Sequence, residues 1–463
     1  MINEKLDRAV EALRPQVVDM LQKWIRIPSE KQPAQGEARF GLPLKTMLDT
    51  ALSDAQALGF CTRNFDYYAG DVEMGEGEEV MGIVAHLDVV PAGDGWKHDP
   101  FGAEMEGGTV YGRGTTDDKG PAIAGLMAMK AVMNAGVPLS RRVRLILGCD
   151  EECGMQDMEY YREHADLPDF GFSPDADYPV INTEKGICAI ELSAKFSGED
   201  GAEYPVYSVT AGERRNVVPG VAYAEIGCGD VAALNEKLRA TGLSVAAEPL
   251  ENDRVRLVST GVTGHAAFPE HSKNAAGQLL MALAAIGAGS GSRAAIARLA
   301  ETIGTTYDGA GLGVDVKDSI SGPLTLNLGI LRITPEGMTA TLDIRYPVLA
   351  SAKRIAGIIG MRLKEAGVSA ELVSDSEPMH VPADSFIVRE LLQVYHEITG
   401  KESYPVAIGG GTYSREMNNT VAFGCNFPGE TDLAHQAEEY TTIDKMMLNI
   451  RIFAHAIAAL AGK

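Results

Sequence analysis

The stretch from Met81 to Val90, Met-Gly-Ile-Val-Ala-His-Leu-Asp-Val-Val, constrains the chain more than any other. It is almost continuously apolar, as a strand buried on both faces must be, and only His86 and Asp88 interrupt it. A strand covered on both sides implies an α/β architecture in which helices supply the cover. The same pattern returns after a helix expected over 121–135: Val143-Arg-Leu-Ile-Leu-Gly-Cys149 reads as a second buried strand running into Asp150, Glu151 and Glu152. Open α/β sheets hold their ligands beyond the carboxyl ends of the strands. His86, Asp88, Glu151, Glu152 and Asp175, the last following Phe170-Gly-Phe172, are therefore expected along one rim.

Elsewhere the periodicity sorts the chain into two parts. Ala9, Val10, Leu13, Val17, Leu21 and Ile25 recur at helical spacing, predicting a helix over 7–27, and 42–58 repeats the pattern. Beyond about residue 185, strands at 207–209, 255–259, 324–331 and 338–346 are separated by helices at 231–240, 275–286 and 352–366, which suggests an inserted α+β unit. Within it, 207–243 and 325–368 both read strand then helix, hinting at a duplicated ferredoxin-like unit. The helix-strand-helix rhythm resumes near Val381, with 386–399, 406–409 and 444–461. The expected fold class is α/β: a catalytic domain with a central mixed sheet flanked by helices, formed by 1–185 and 382–463, with an inserted α+β domain over 186–381.

Composition narrows the partners. At 463 residues the chain exceeds what one hydrophobic core usually serves. Its 64 acidic against 41 basic residues, a net charge of −23, would repel a phosphate backbone, so no nucleic-acid partner is expected. Six cysteines, Cys61, Cys149, Cys153, Cys188, Cys228 and Cys425, are scattered without a CxxC pair and read as reduced, mostly buried thiols. The first residues, MINEKLDRAVEALRPQ, spread charge through what reads as a helix and not a signal peptide, and no stretch reaches the roughly 18 apolar residues of a membrane span. A cytoplasmic protein with no membrane partner is expected.

The polar residues at the strand ends suit divalent metal. Zinc, manganese and cobalt accept imidazole and carboxylate, and two such ions roughly 3.5–4 Å apart need a shared carboxylate between them. In His86-Leu87-Asp88 both polar side chains point the same way, so Asp88 can take the N–H of the imidazole nitrogen that holds no metal. The glycine-rich run Gly112-Arg-Gly-Thr-Thr-Asp-Asp-Lys-Gly120 pairs Asp117 with Asp118, and Glu151 adjoins Glu152; such pairs are hard to bury without cations. One glutamate can be a ligand while the other serves as general base. Singly, each pair is more often a solvated surface feature; their recurrence at successive strand ends favours a site.

The motifs AHLDVVPAGDGW, YGRGTTDDKGP, CDEECG, SPDADYPV, ERRNVVPG, GHAAFPEHSKNA, DIRYP, GGGTYSR and AHQAEEY, in this order along most of the chain, resemble those of the two-zinc aminoacylase, carboxypeptidase and dipeptidase metallopeptidases, in particular the PepV-like dipeptidase branch. The resemblance implies two divalent ions per chain, zinc first and manganese or cobalt as alternatives. Asp117 would bridge them, His86 and Asp175 completing one site and Glu152 and His435 the other. It implies Glu151 as the base, a cis peptide after Asp117, and a lid domain over the inserted segment. His265 of the lid would polarise the scissile carbonyl, Arg345 would receive the substrate carboxylate, and Asn216, Gly410 and Thr412 would bind substrate backbone. Within the family that position tends to be aspartate in dipeptidases and aminopeptidases and glutamate in carboxypeptidases and aminoacylases, so Asp175 favours cleavage of short peptides over deacylation. The resemblance implies hydrolysis of dipeptides with free termini by a metal-bridged hydroxide with Glu151 as base. The alternatives are an N-acyl amino acid deacylase or desuccinylase on the same scaffold, and a non-catalytic metal-dependent binding protein. The inserted segment exceeds the lids of dimeric members in length, so a monomer acting on small peptides is expected. His98, between Trp96 and Phe101, reads as part of a packed loop.

Overall fold

The computed structural model describes residues 3–197, 202–289, 291–431 and 433–462. The first helical stretch divides in two, Glu4–Glu11 and Arg14–Ile25, instead of running unbroken over 7–27. Pro15 is the cause: it has no N–H to give to the turn before it, and it is accommodated in the first turn of the second helix. Asn3 caps the first helix, its side chain accepting from the N–H groups of Lys5 and Leu6.

The chain forms two compact units, Met1–Thr183 with His380–Val406 and Gly411–Lys463, and Glu184–Met379 with Ala407–Gly410. In the first, the run Val80–His86 is a strand buried along its whole length. It lies parallel to Arg142–Gly148 on one side and Phe170–Ser173 on the other, and Thr420–Ala422 continues the parallel set beyond Phe170–Ser173. Ala69–Met74 and Cys61–Phe65 extend the sheet antiparallel beyond Arg142–Gly148, which makes it mixed. Register places the two outgoing loops: His86 pairs with Gly148, so these strands end together and the loops after them begin side by side.

The helix Lys119–Ala135 is buried almost throughout and packs against Ile443–Ala461, as the apolar sequences of both require. Position 148 tolerates no side chain, since a β-carbon there would collide with the Tyr413 hydroxyl and the Asp157 carboxylate.

The second unit is built on one antiparallel eight-stranded sheet in the order Val245–Pro249, Arg254–Thr260, Val221–Gly227, Val206–Ala211, Thr325–Thr334, Gly337–Tyr346, Gly186–Lys195 and Ser369–Ser376. Two four-stranded halves meet where Val209, Thr210 and Ala211 pair with Ile333, Arg332 and Leu331. Helices Val231–Ala240 and Ala275–Ile286 pack on the first half and Ala352–Leu363 on the second. Leu279, Leu283, Ile355 and Ile359 share one core with Leu257, Leu331 and Leu342 of the strands. The expected helix over 352–366 ends as a 3-10 turn from Lys364 to Ala366, just before Gly367 takes a left-handed conformation. Among the described residues, no helix is long and apolar enough to cross a membrane. All six cysteines are free, four buried and Cys61 and Cys153 exposed.

Candidate metal centre

His86 stands at the carboxyl end of its strand, fully buried. Its Nδ1 lies 2.9 Å from the carbonyl oxygen of Asp88. A carbonyl can only accept, so Nδ1 carries a proton, and in the neutral imidazole that a metal requires the lone pair is on Nε2. That nitrogen faces Asp117 Oδ1 at 3.0 Å and Asp175 Oδ2 at 3.7 Å. The other oxygen of Asp117, Oδ2, lies 3.1 Å from Nε2 of His435, which also lies 3.1 Å from Glu152. One carboxylate thus turns an oxygen to each of two imidazoles.

Ligand atoms of His86, Glu151 and Asp175 lie within 4.8 Å of one another, and so do those of His86, Asp117 and Glu152. Glu151 therefore stands among the donors themselves.

The Asp88 carboxylate does something the sequence does not reveal. It accepts from the backbone N–H of Glu151 at 3.2 Å and of Glu152 at 3.0 Å, while its Oδ1 lies 3.3 Å from His86 Nδ1. A hydrogen bond to a charged acceptor contributes about 1.5–3 kcal/mol, so one buried aspartate ties the 3-10 turn Glu151–Cys153 to the end of the neighbouring strand. From below, Asp157 takes the N–H groups of Cys149 at 2.5 Å and Asp150 at 2.8 Å and receives the hydroxyl of Tyr413, whose ring meets His86 edge to face. Burial pushes the Asp157 carboxyl up to about 7.

The loop bearing Asp117 is pinned twice. Asp118, joined to Asp117 by a cis peptide, accepts from the His86 backbone N–H at 2.9 Å. The second pin is Glu439, fully buried, whose Oε1 accepts from Gly114 N at 3.0 Å, Thr116 N at 2.8 Å and Thr116 Oγ1 at 2.9 Å. Neither Asp118 nor Glu439 stands out as a contributor in sequence; the only signal is that each adjoins another acid, Asp117 and Glu438, within motifs that also carry a ligand candidate. His98 stacks on Tyr111 with its Nδ1 2.9 Å from Glu438, a packed loop as expected.

These donors fit divalent cations. A neutral imidazole lone pair 3.0 Å from a carboxylate oxygen is a repulsive contact unless a proton or metal lies between them. Burial pushes the carboxyls of Glu151 and Glu152 up from their ordinary range, and that of Asp175 up to about 7, because charge is crowded in a site of low polarity. His435 rises to about 11 through Asp117 and Glu152, an imidazole held protonated by anions that a cation would otherwise neutralise. Asp118 keeps one buried oxygen, Oδ1, without a hydrogen-bond partner.

In the second unit, Val217 pairs with His265 in a two-residue ladder, and the Asn216 carbonyl accepts from Ala266 N at 2.9 Å. Both Asn216 and His265 are exposed, and His265 Nδ1 accepts from the N–H of Ala267 at 3.2 Å. Arg345 is buried, with Nε and Nη2 on the two Asp343 oxygens at 2.7 and 3.2 Å and Nη1 on the Gly409 carbonyl at 2.9 Å. Gly410 is half-buried in the short segment Ala407–Gly410 of that unit. Thr412, in the first unit, is buried and its hydroxyl caps the turn Tyr413–Glu416 by accepting from Ser414 N at 3.1 Å.

A family description covers this arrangement: the model of peptidase family M20/M25/M40 matches residues 82–459. The chain belongs to peptidase family M20/M25/M40. As a member of it the chain is a peptidase, a hydrolase of a metal-dependent family, and the resemblance read from its motifs is borne out. It is 37% identical over 450 residues to the protein named "Putative dipeptidase YtjP" of Bacillus subtilis (strain 168), covering 95% of this chain and 96% of that one. It is 32% identical to the Beta-Ala-Xaa dipeptidase of Lactobacillus delbrueckii subsp. lactis, covering 97% of each. Human carnosine dipeptidase 1 shares the fold with a TM-score of 0.60 at 14% identity, covering 98% of both chains. The aminoacylhistidine dipeptidase of Vibrio alginolyticus gives 0.59 at 15% identity, covering 97% of both. The fold class expected from the sequence, α/β with a central mixed sheet flanked by helices, is borne out.

Proposed function

We propose that this chain is a metal-dependent dipeptidase that hydrolyses short peptides with free amino and carboxyl termini. The observation that carries the proposal is the double-facing Asp117, one oxygen toward His86 and the other toward His435, with Glu151 beside them. The names of its relatives agree with it. His86, Asp117 and Asp175 would hold one ion and Asp117, Glu152 and His435 the other, zinc before manganese or cobalt. Two such ions, when bound, supply Lewis acidity toward a carbonyl oxygen and lower the pKa of water.

The chain's own groups do the rest. Glu151 takes the proton of the attacking water on its carboxylate and later gives it to the departing amine nitrogen. Asp88 fixes the backbone of Glu151 and Glu152 and the tautomer of His86, so the base cannot drift from the ligands. His265 donates to the carbonyl oxygen as negative charge grows on it. Arg345, its plane fixed by Asp343, receives the substrate carboxylate with its remaining N–H groups, and Asn216, Gly410 and Thr412 line the path of the substrate backbone. The second unit, residues 186–381 in the main, acts as the lid that selects substrate, and its length, beyond that of the lids of dimeric members, lets one chain supply its own His265.

A purified preparation assayed with dipeptides and their N-acetylated counterparts, alongside metal analysis, tests this. Turnover of free dipeptides that disappears with chelator and returns with zinc, manganese or cobalt is the expected result. Preference for the acetylated forms would replace the proposal with an N-acyl amino acid deacylase.

A further inference from the structure

Glu439 takes no part in the proposed chemistry, yet among the described residues no other buried acid gathers as many donors around one oxygen. Its Oε1 receives the N–H groups of Gly114 at 3.0 Å, Thr116 at 2.8 Å and Asp117 at 3.3 Å, and the hydroxyls of Thr116 at 2.9 Å and Thr115 at 3.4 Å. Oε2 receives Arg113 Nη1 at 2.7 Å, and the Glu439 carbonyl takes the N–H of Gly112 at 2.9 Å. A salt bridge that only neutralised Arg113 would need none of the loop donors. Instead the N–H groups of Gly114, Thr116 and Asp117 converge on one carboxylate oxygen as the N–H groups of a loop converge on an anion, and the last of those donors belongs to Asp117 itself.

The same segment reaches back to the other ligand. His435 lies four residues before Glu439, and both His435 and Glu438 have a φ of 63°. After Glu439, Tyr440 pairs with Tyr111 at the start of the Asp117 loop. One buried carboxylate therefore couples the backbone of Asp117 to the strand that follows His435.

We propose that Glu439 is a positioning residue that sets the spacing of Asp117 and His435, so that the metal sites are formed before metal arrives. This rests on the reading of the cluster as a metal centre. In Glu439→Gln one of the two oxygens becomes an NH2 group, and whichever way the amide turns that group faces donors, either Arg113 or the loop. Loss of such a supporting contact weakens metal binding by about 10–100-fold. Thr116→Val, which removes a single hydroxyl donor, acts in the same direction to a smaller extent. Glu438 provides the control: it holds a different loop, through Lys97 N at 2.6 Å and His98 N at 3.1 Å, and Glu438→Gln leaves metal affinity unchanged.

The experiment is calorimetric titration of zinc and of manganese into the metal-free full chain and into each variant, with thermal midpoints of the metal-free proteins recorded beside it. Weaker metal binding by Glu439→Gln, with kcat recovering toward that of the parent at saturating metal and KM unmoved, supports the proposal. Unchanged affinity in Glu439→Gln overturns it, as does an equal loss in Glu438→Gln. Should Glu439→Gln fail to fold, Thr116→Val decides, and undiminished affinity there overturns the proposal. A parent chain that binds neither metal would instead refute the metal-centre reading on which the proposal stands.

Discussion

The candidate residues of the two units are held in opposite ways. In the first unit His86 and Asp88 are buried, and each is fixed by partners from other segments, as are Asp117 and Glu152. In the second, His265 is exposed on a ladder two residues long and Asn216 is exposed just before it, and only Arg345 is buried, locked to Asp343. Metal ligands must keep their places against the mutual repulsion of carboxylates, which needs many anchors. A group that meets a passing substrate gains from fewer. Under the proposed function the contrast would separate metal retention, in the first unit, from turnover and selection, to which the second would contribute.

The sharpest way to break this division is Glu151→Gln. If Glu151 is the base, kcat falls by about 10²–10⁴-fold while the metal content of the purified protein stays as in the parent. Because Glu151 stands within ligand distance of His86 and Asp175, a parallel loss of metal would show it to be a ligand instead. His265→Ala comes next, with kcat lowered about 10²–10³-fold and metal affinity unaltered, as steady-state kinetics at several metal concentrations would show. Asp88→Asn reverses the pattern: apparent metal affinity drops by about 10–100-fold, measured by chelator competition, because an amide cannot accept from both Glu151 and Glu152 and still serve His86. The smallest effect falls to Asn216→Ala, a rise in KM of about threefold, of the order of one neutral hydrogen bond, visible in initial rates across substrate concentrations.

Much of the fold is legible in the sequence because buried strands leave a plain mark. An apolar run interrupted only by His86 and Asp88 has few explanations, and the run into Glu151 and Glu152 repeats it, so the strand ends stand out. The break between the first two helices is legible too, in Pro15, although apolar periodicity runs across it and hides it. Asp175 and His435 are different: only the short run Phe170-Gly-Phe172 precedes Asp175 and no local pattern marks His435, so both depend mainly on the motifs shared with a family. Asp157 escapes altogether and Glu439 nearly so, because their roles lie in backbone N–H groups of other segments, and a sequence does not display which carboxylate will meet which loop. Arg345 shows the converse. Its residue type suggests an open guanidinium, whereas Asp343, two positions earlier on the same face of the strand, already occupies two of its nitrogens.

The reach of Glu439 also bears on the order of events during synthesis. It grips Asp117 across 322 residues of chain. On the ribosome, His86, Asp117, Glu151, Glu152 and Asp175 emerge long before His435 and its neighbouring anchor, so a nascent chain carries an open half-site bearing a heavy load of negative charge. On the proposed reading, closure waits for the segment 435–440, and metal caught before then would meet a site short of one ligand and of the strap that tightens the loop. The centre is in this sense assembled last, and its completion reports that the whole inserted unit has already been translated.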